Sequence, residues 1–193
     1  WYSVGLWAAV LSKYPVISHE IMYLGWSGQT HFPNNYPLFV LKEKYERYPY
    51  AADQSRPLLS TKIDVNGKQL EILTTHFHVT FDCIESEKMV KEEHEIAKYI
   101  SHNKTWPLIL TGDFNIEKNS LSIELIGSYL TNQSLNFTNT LCKTIHPIFK
   151  NKPDHPGLAV DHVFTRDILV ENCEVRNVTV SDHLPVVLDF QIE

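Results

Sequence analysis

The dipeptide Asn66-Gly67 stands between two strand-like runs, Arg56–Asp64 and Gln69–His76. A two-residue Asn-Gly connection suits a type I′ turn, which needs positive φ at both central positions and whose twist matches the flanking strands. An antiparallel hairpin is therefore expected here, and the rest of the chain has to pack on it. Short apolar runs closed by turn residues extend the pattern: Trp7–Leu11 before Ser12-Lys13-Tyr14-Pro15, then Val16–Leu24, Leu108–Leu110 after Pro107, Ala159–Thr165, Ile168–Val175 and Leu184–Ile192 all read as strands. Two stretches carry helical spacing. In Ile84–Ile100, Met89, Ile96 and Ile100 recur on one side while Glu87, Lys91, Glu95 and Lys98 fall between them; Ser120–Leu130 opens on a capping serine. Gly25–Asn35 reads as a turn-rich loop. About eight strands and two covering helices favour two sheets packed face to face over one wound sheet, with residues 1–193 forming a single unit.

Composition narrows the function. The 193 residues are 43% hydrophobic and 21% charged, with 17 Lys+Arg against 23 Asp+Glu and a net charge of -6. This excludes a disordered tail, a collagen-like repeat and a coiled coil. An acidic chain does not coat nucleic acid through bulk charge. It can still cleave a phosphodiester where carboxylates gather a divalent cation. Ile21–Leu41 holds no Lys, Arg, Asp or Glu, but Ser27, Gly28, Gln29, His31, Pro33, Asn34 and Asn35 interrupt it, so it is not a membrane span. Cys83, Cys142 and Cys173 are too few and too scattered for a disulfide framework or a CxxC zinc site, and are expected to be idle thiols.

The chemistry-bearing residues lie at the ends of apolar strands, where a rigid scaffold presents side chains at its rim. The four clusters are Thr74-Thr75-His76-Phe77-His78, Thr111-Gly112-Asp113-Phe114-Asn115, Val160-Asp161-His162-Val163-Phe164 and Ser181-Asp182-His183-Leu184-Pro185. Singly each has a bland reading: a core histidine, an Asx turn or a helix cap. Asp161 within an apolar run is harder to dismiss, because a buried carboxylate needs a partner. Water attack on a phosphodiester needs a base, an oriented imidazole, a metal and donors for developing charge. Asp161 beside His183 would hold the ring tautomer. Asp182 could bind a cation through oxygen, and His76 could donate to a phosphate oxygen or the leaving group. Asp113 and Asn115, two apart on an extended strand end, would point the same way and contact water or metal and a phosphate oxygen.

These motifs, together with Ala9-Val10-Leu11-Ser12-Lys13-Tyr14-Pro15-Val16, Thr-His-Phe at 75–77, Gly-Asp-Phe-Asn at 112–115 and Ser-Asp-His-Leu-Pro-Val at 181–186, occur in one order. In that order and spacing the chain resembles the endonuclease/exonuclease/phosphatase superfamily. The resemblance implies an α/β (α+β) fold of the DNase-I-like type, a four-layered α/β/β/α sandwich of two mostly antiparallel sheets. It implies metal-dependent phosphoester hydrolysis using Mg²⁺ (or Mn²⁺). It makes His183 the catalytic histidine, Asp161 its orienting partner, Asp182 and Asp113 the metal side, Asp113 and Asn115 the water- and phosphate-contacting pair, and His76 the phosphate-stabilising histidine. The superfamily's Asn-ending and Gln-Glu-ending strands should precede Trp1, so the chain is expected to be the carboxy-terminal portion of a longer domain and to be inactive alone.

Other features weigh less. Arg56 could reach a phosphate, although a surface arginine is the default. Tyr23, Trp26, Phe32, Tyr36, Phe39, Tyr45, Tyr48 and Tyr50 could stack on bases or meet a lipid interface, although ordinary packing is the plainer reading. Lys42, Lys44 and Arg47 alternate with Glu43 and Glu46 and form no basic patch. Asp154, His155 and His162 are weak metal candidates, since His162 should face away from Asp161 on an alternating strand. The expected substrate is a phosphoester, with nucleic acid placed ahead of phospholipid or inositol phosphate, and no obligate protein partner is evident. The rival is a non-catalytic member that keeps the sandwich as a binding or scaffolding surface.

Overall fold

The structure, a computed structural model, describes residues 8–24, 56–80 and 83–192. Its elements run β1 (Val16–Leu24), β2 (Arg56–Val65), β3 (Lys68–His76), α1 (Glu87–His102), β4 (Leu108–Asp113), α2 (Leu121–Gly127), β5 (Thr131–Asn132), α3 (Pro147–Asn151), β6 (Asp161–Arg166), β7 (Ile168–Val175) and β8 (Val186–Ile192). Six strands form one sheet in the order β1-β2-β3-β4-β6-β5, and β7 pairs with β8 in a second. Every pairing is antiparallel except β3 with β4.

The hairpin forms where Asn66-Gly67 placed it. Val65 pairs with Lys68, and Asn66 and Gly67 take φ of 55° and 87°. The crossover from β3 to β4 is α1. Its first turn is capped by Ser86, whose Oγ accepts from Met89 N at 3.3 Å, and Glu87 there complements the helix dipole. Alternation along the strands sorts side chains to two faces. Leu58, Leu73, Leu110 and Phe164 pack with Met89, Ile96 and Ile100 of α1 and Ile123 and Ile126 of α2. Ile63, Leu70, Ile109 and Val163 point the other way, against Ile168, Val186, Leu188, Phe190 and Ile192 of the second sheet. The described residues thus stack as helices, six-stranded sheet and two-stranded sheet. Full burial of each large apolar side chain contributes about 1.5–3 kcal/mol, which makes the β3–β4–β6 centre the firmest part of the scaffold.

Several expectations change. Ala8–Leu11 forms no strand, and Leu11 is 96% exposed, because no strand among the described residues pairs with it. The first helix starts and ends later than its periodicity suggests, and the second stops at Gly127. The last strand begins at Val186, because His183 and Leu184 are held by the segment around Thr140 and Leu141 instead. The pair Thr131–Asn132 and the short α3 were not expected. The aromatic residues 26–50, with Lys42, Lys44 and Arg47, lie outside the described residues, as does the Gly25–Asn35 loop. All three cysteines are free thiols. No described helix is long and apolar enough to cross a membrane.

Candidate active site

Strand register brings three of the motifs together. His76 closes β3 and pairs with Asp113, the last residue of β4; Asp113 pairs across the other side with Asp161, the first residue of β6. Side chains of laterally paired residues share a face, so His76, Asp113 and Asp161 form a row at one end of the central strands. The approach of β3 to β4 depends on Gly112, where a Cβ would stand 2.1 Å from the Thr75 carbonyl oxygen.

His183 completes the row from the segment before β8. Leu141 and His183 form an isolated antiparallel bridge, and Leu184 N donates to the Thr140 carbonyl at 2.7 Å. The Thr140 hydroxyl oxygen accepts from the backbone N–H groups of both Val160 and Asp161, at 3.1 and 3.2 Å. One threonine therefore ties the Asp161 strand end to the His183 segment. The result is a 2.8 Å hydrogen bond between His183 Nδ1 and Asp161 Oδ2. The opposite ring nitrogen, Nε2, lies 3.8 Å from Asp113 Oδ2, and His76 Nε2 lies 3.4 Å from the same oxygen.

The charges respond to this crowding. Burial and the neighbouring Asp161 carboxylate push Asp113 up to about 6. The hydrogen bond to Asp161, reinforced by three carboxylates, raises His183 to about 9. Burial, with the Arg56 and His183 cations, lowers His76 to about 4. At neutral pH the row therefore holds a neutral imidazole, a carboxylate and an imidazolium side by side, an arrangement that can bind an anion and exchange a proton.

Asn115 departs from its expected geometry. β4 ends at Asp113, and Asn115 takes the left-handed φ of 53°. Its N–H donates to Asp113 Oδ1 at 2.9 Å, an Asx turn, while its side-chain amide donates to the Phe77 carbonyl at 3.0 Å. It thus anchors the Asp113 carboxylate and the end of β3, because the chain has already turned and no longer alternates. Arg56 is also corrected: it is 8% exposed at the start of β2, not a surface arginine, and its charge reaches both His76 and Asp113. Its backbone pairs with Leu24 of β1.

Asp182 stands on the exposed side. Partial desolvation opposes its ionisation, but the Ser181 hydroxyl, donating to Oδ1 at 3.0 Å, and His183 hold it below the usual carboxylate range. Among the described residues two groups of donors come within 4.8 Å of one another: Asp113, Asp161 and His183, and His146, Asp182 and His183. Asp113 and Asp182, the expected metal side, fall into different groups joined by His183. Their carboxylates fit a hard divalent cation in kind. His162 is a core residue as expected, buried with Nε2 2.8 Å from the Ile116 carbonyl. His155 sits with Nδ1 accepting from Gly157 N. Sequence reasoning missed Thr140 and His146, which lie in an aperiodic connection; only His146-Pro147, a cap before a helix-starting proline, gave a local signal.

Comparison with known proteins agrees with this architecture. Solved structures similar to the chain include an endonuclease/exonuclease/phosphatase from Beutenbergia cavernae (TM-score 0.65, 19% identity, covering 94% of this chain and 46% of that one). A conserved protein of unknown function from Enterococcus faecalis (TM-score 0.64, 17% identity, 94% and 68%) and a mannosyl-6-phosphatase from Bacteroides thetaiotaomicron (TM-score 0.61, 16% identity, 93% and 68%) are also similar. The chain thus spans 46% to 68% of the lengths of these three. At such identities the likeness speaks for the DNase-I-like fold. No curated protein matches. The sequence model of the Endonuclease/Exonuclease/phosphatase family matches residues 8–183, a span that contains Arg56, His76, Asp113, Asn115, Asp161, Asp182 and His183, and the chain belongs to that family.

Proposed function

We propose that the protein is a divalent-metal-dependent phosphoesterase that cleaves a phosphodiester or phosphomonoester by attack of water. The observation that supports it most is the Asp161–His183–Asp113 row, in which a carboxylate fixes one imidazole nitrogen while the other faces a second carboxylate. An acid-oriented histidine needs this geometry to move a proton at Nε2. His183 is the general acid–base, and Asp161 holds its Nδ1 proton and its orientation. Asp113 faces Nε2 and contacts the attacking water. His76, neutral, donates to a phosphoryl oxygen or the leaving group, and Arg56 contributes positive charge felt by His76 and Asp113. Asp182 and Asp113 are the residues that would hold the cation, which when bound supplies charge neutralisation at the phosphoryl oxygens.

Among phosphoesters, nucleic acid comes first, phospholipid or inositol phosphate second. The net charge of -6 means that a nucleic acid would be held by contacts at the scissile phosphate and not by a basic track. The test is hydrolysis of a bis-aryl phosphodiester, an aryl phosphomonoester, single-stranded DNA and phospholipid vesicles by the full-length protein with Mg²⁺. Turnover of one class, lost in His183→Ala, supports the reading. Turnover of all four classes unaffected by His183→Ala overturns the assigned chemistry. No turnover of any favours a non-catalytic binding role.

A further inference from the structure

The loop before β6 adds a histidine that the proposed mechanism does not use. His146 lies edge-to-face with His183, ring centroids 5.7 Å apart, and one of its ring nitrogens is within 4.8 Å of both a His183 nitrogen and an Asp182 oxygen. Its placement is fixed through Cys142. The Cys142 N–H donates to the Asp182 carbonyl at 2.8 Å, and the Cys142 carbonyl accepts from His146 N at 2.8 Å. One residue therefore locks the His146 backbone to the catalytic segment.

The tautomer is fixed as well. His146 is the N-cap of α3, and its Nδ1 accepts the Ile148 N–H at 3.3 Å. An accepting Nδ1 carries no proton, so the neutral ring holds its proton on Nε2, the far edge of the ring. A nitrogen bearing a proton has no lone pair for a metal, so this tautomer makes His146 a hydrogen-bond donor and not a ligand.

We propose that His146 is a further substrate-binding residue of this site, donating its Nε2–H to an oxygen of the substrate phosphate beside His183 and Asp182. The inference rests on the phosphoesterase reading and names an additional contact for its anionic group. A hydrogen bond to a charged oxygen corresponds to roughly a 10- to 100-fold effect on binding.

Two variants of the full-length protein separate this role from helix capping. His146→Asn keeps a good N-cap but is too short to reach the phosphate. His146→Gln carries an N–H of similar reach. The readouts are KM and kcat on the best aryl phosphoester, the affinity for inorganic phosphate followed by NMR, and the melting temperature. The expected result for His146→Asn is an unchanged melting temperature with phosphate affinity and 1/KM down about 10-fold or more, with His146→Gln recovering most of it. Unchanged phosphate affinity and KM in a working His146→Asn enzyme overturns the proposal alone. Weakened phosphate binding in an otherwise inactive protein keeps the contact and sinks the phosphoesterase reading. Absence of phosphate binding by the wild type overturns both. Equal losses in both variants with a lowered melting temperature assign His146 to folding, and Zn²⁺ binding by calorimetry that disappears in His146→Asn assigns it to a metal; either result overturns the donor role.

Discussion

Asp113 and Asp161 are direct cross-strand partners at the open end of β4 and β6, and one imidazole, His183, lies against both. Two carboxylates in adjacent register repel unless a cation stands between them. His183 meets that need, which explains why it is held charged and why Asp113 is pushed up to about 6.

The first prediction follows from that relationship. His183→Ala is expected to lower kcat by ~10²–10⁴, and more than His76→Ala does. Asp161→Asn removes the acceptor that orients His183, so the double variant should be scarcely worse than His183→Ala, as for residues that act as one unit. Steady-state kinetics on the best substrate check this. Additive losses would separate Asp161 from His183, and near-native turnover of His183→Ala would misassign it.

Metal removal gives the second. Activity is expected to vanish in excess chelator and to return with Mg²⁺ or Mn²⁺, the ions that suit carboxylate donors. Asp182→Asn should raise the Mg²⁺ concentration needed for half-activity ~10-fold or more. A metal titration of both proteins reads this, and full activity in chelator would remove the cation from the mechanism.

Much of the site was legible because its residues break a rule locally: Asp161 interrupts an apolar strand, and Asp113, His76 and His183 sit where strands end. Their lateral alignment was not legible, since register across β3, β4 and β6 is a property of pairing between distant segments. Arg56 reads as a surface cation because nothing in its sequence neighbours reports its burial. Thr140 and His146 stayed hidden because their connection has no period: Thr140 acts through hydrogen bonds to a segment 20 residues away, and His146 through a ring contact with His183, 37 residues away. In the second helix, periodicity continued to Leu130, which does enter the core, but the helix stops at Gly127 and Leu130 is reached through a turn.

Gly112 carries the third prediction. Its Cα approaches Thr75 so closely that a methyl group would meet the carbonyl oxygen at 2.1 Å. Gly112→Ala must part β3 from β4, moving His76 away from Asp113. The expected cost is about 1–3 kcal/mol or more, read as a melting temperature lowered by roughly 2–10 °C, with kcat falling as well. An unchanged melting temperature would mean that the strands do not pack this closely.

The last prediction concerns stability and pH. Glu93 is buried on α1 away from the row; burial, with the nearby Glu85 carboxylate, pushes it up to about 7, against the opposing pull of the neighbouring Ser122 hydroxyl. A carboxyl raised in the folded state binds more protons folded than unfolded between its ordinary value of 4.5 and about 7. The stability derivative follows the difference of unfolded minus folded protons, which is negative here, so stability falls as pH rises through that window. Glu92, raised to about 7 by burial, adds to the same slope. Glu93→Gln keeps the shape and removes one titration. The variant is expected to match the wild type near pH 4.5 and to exceed it by roughly 1–3 kcal/mol at pH 8. Denaturant melts at both pH values measure the difference, and an equal pH slope in the two proteins would show that Glu93 is not a source of it.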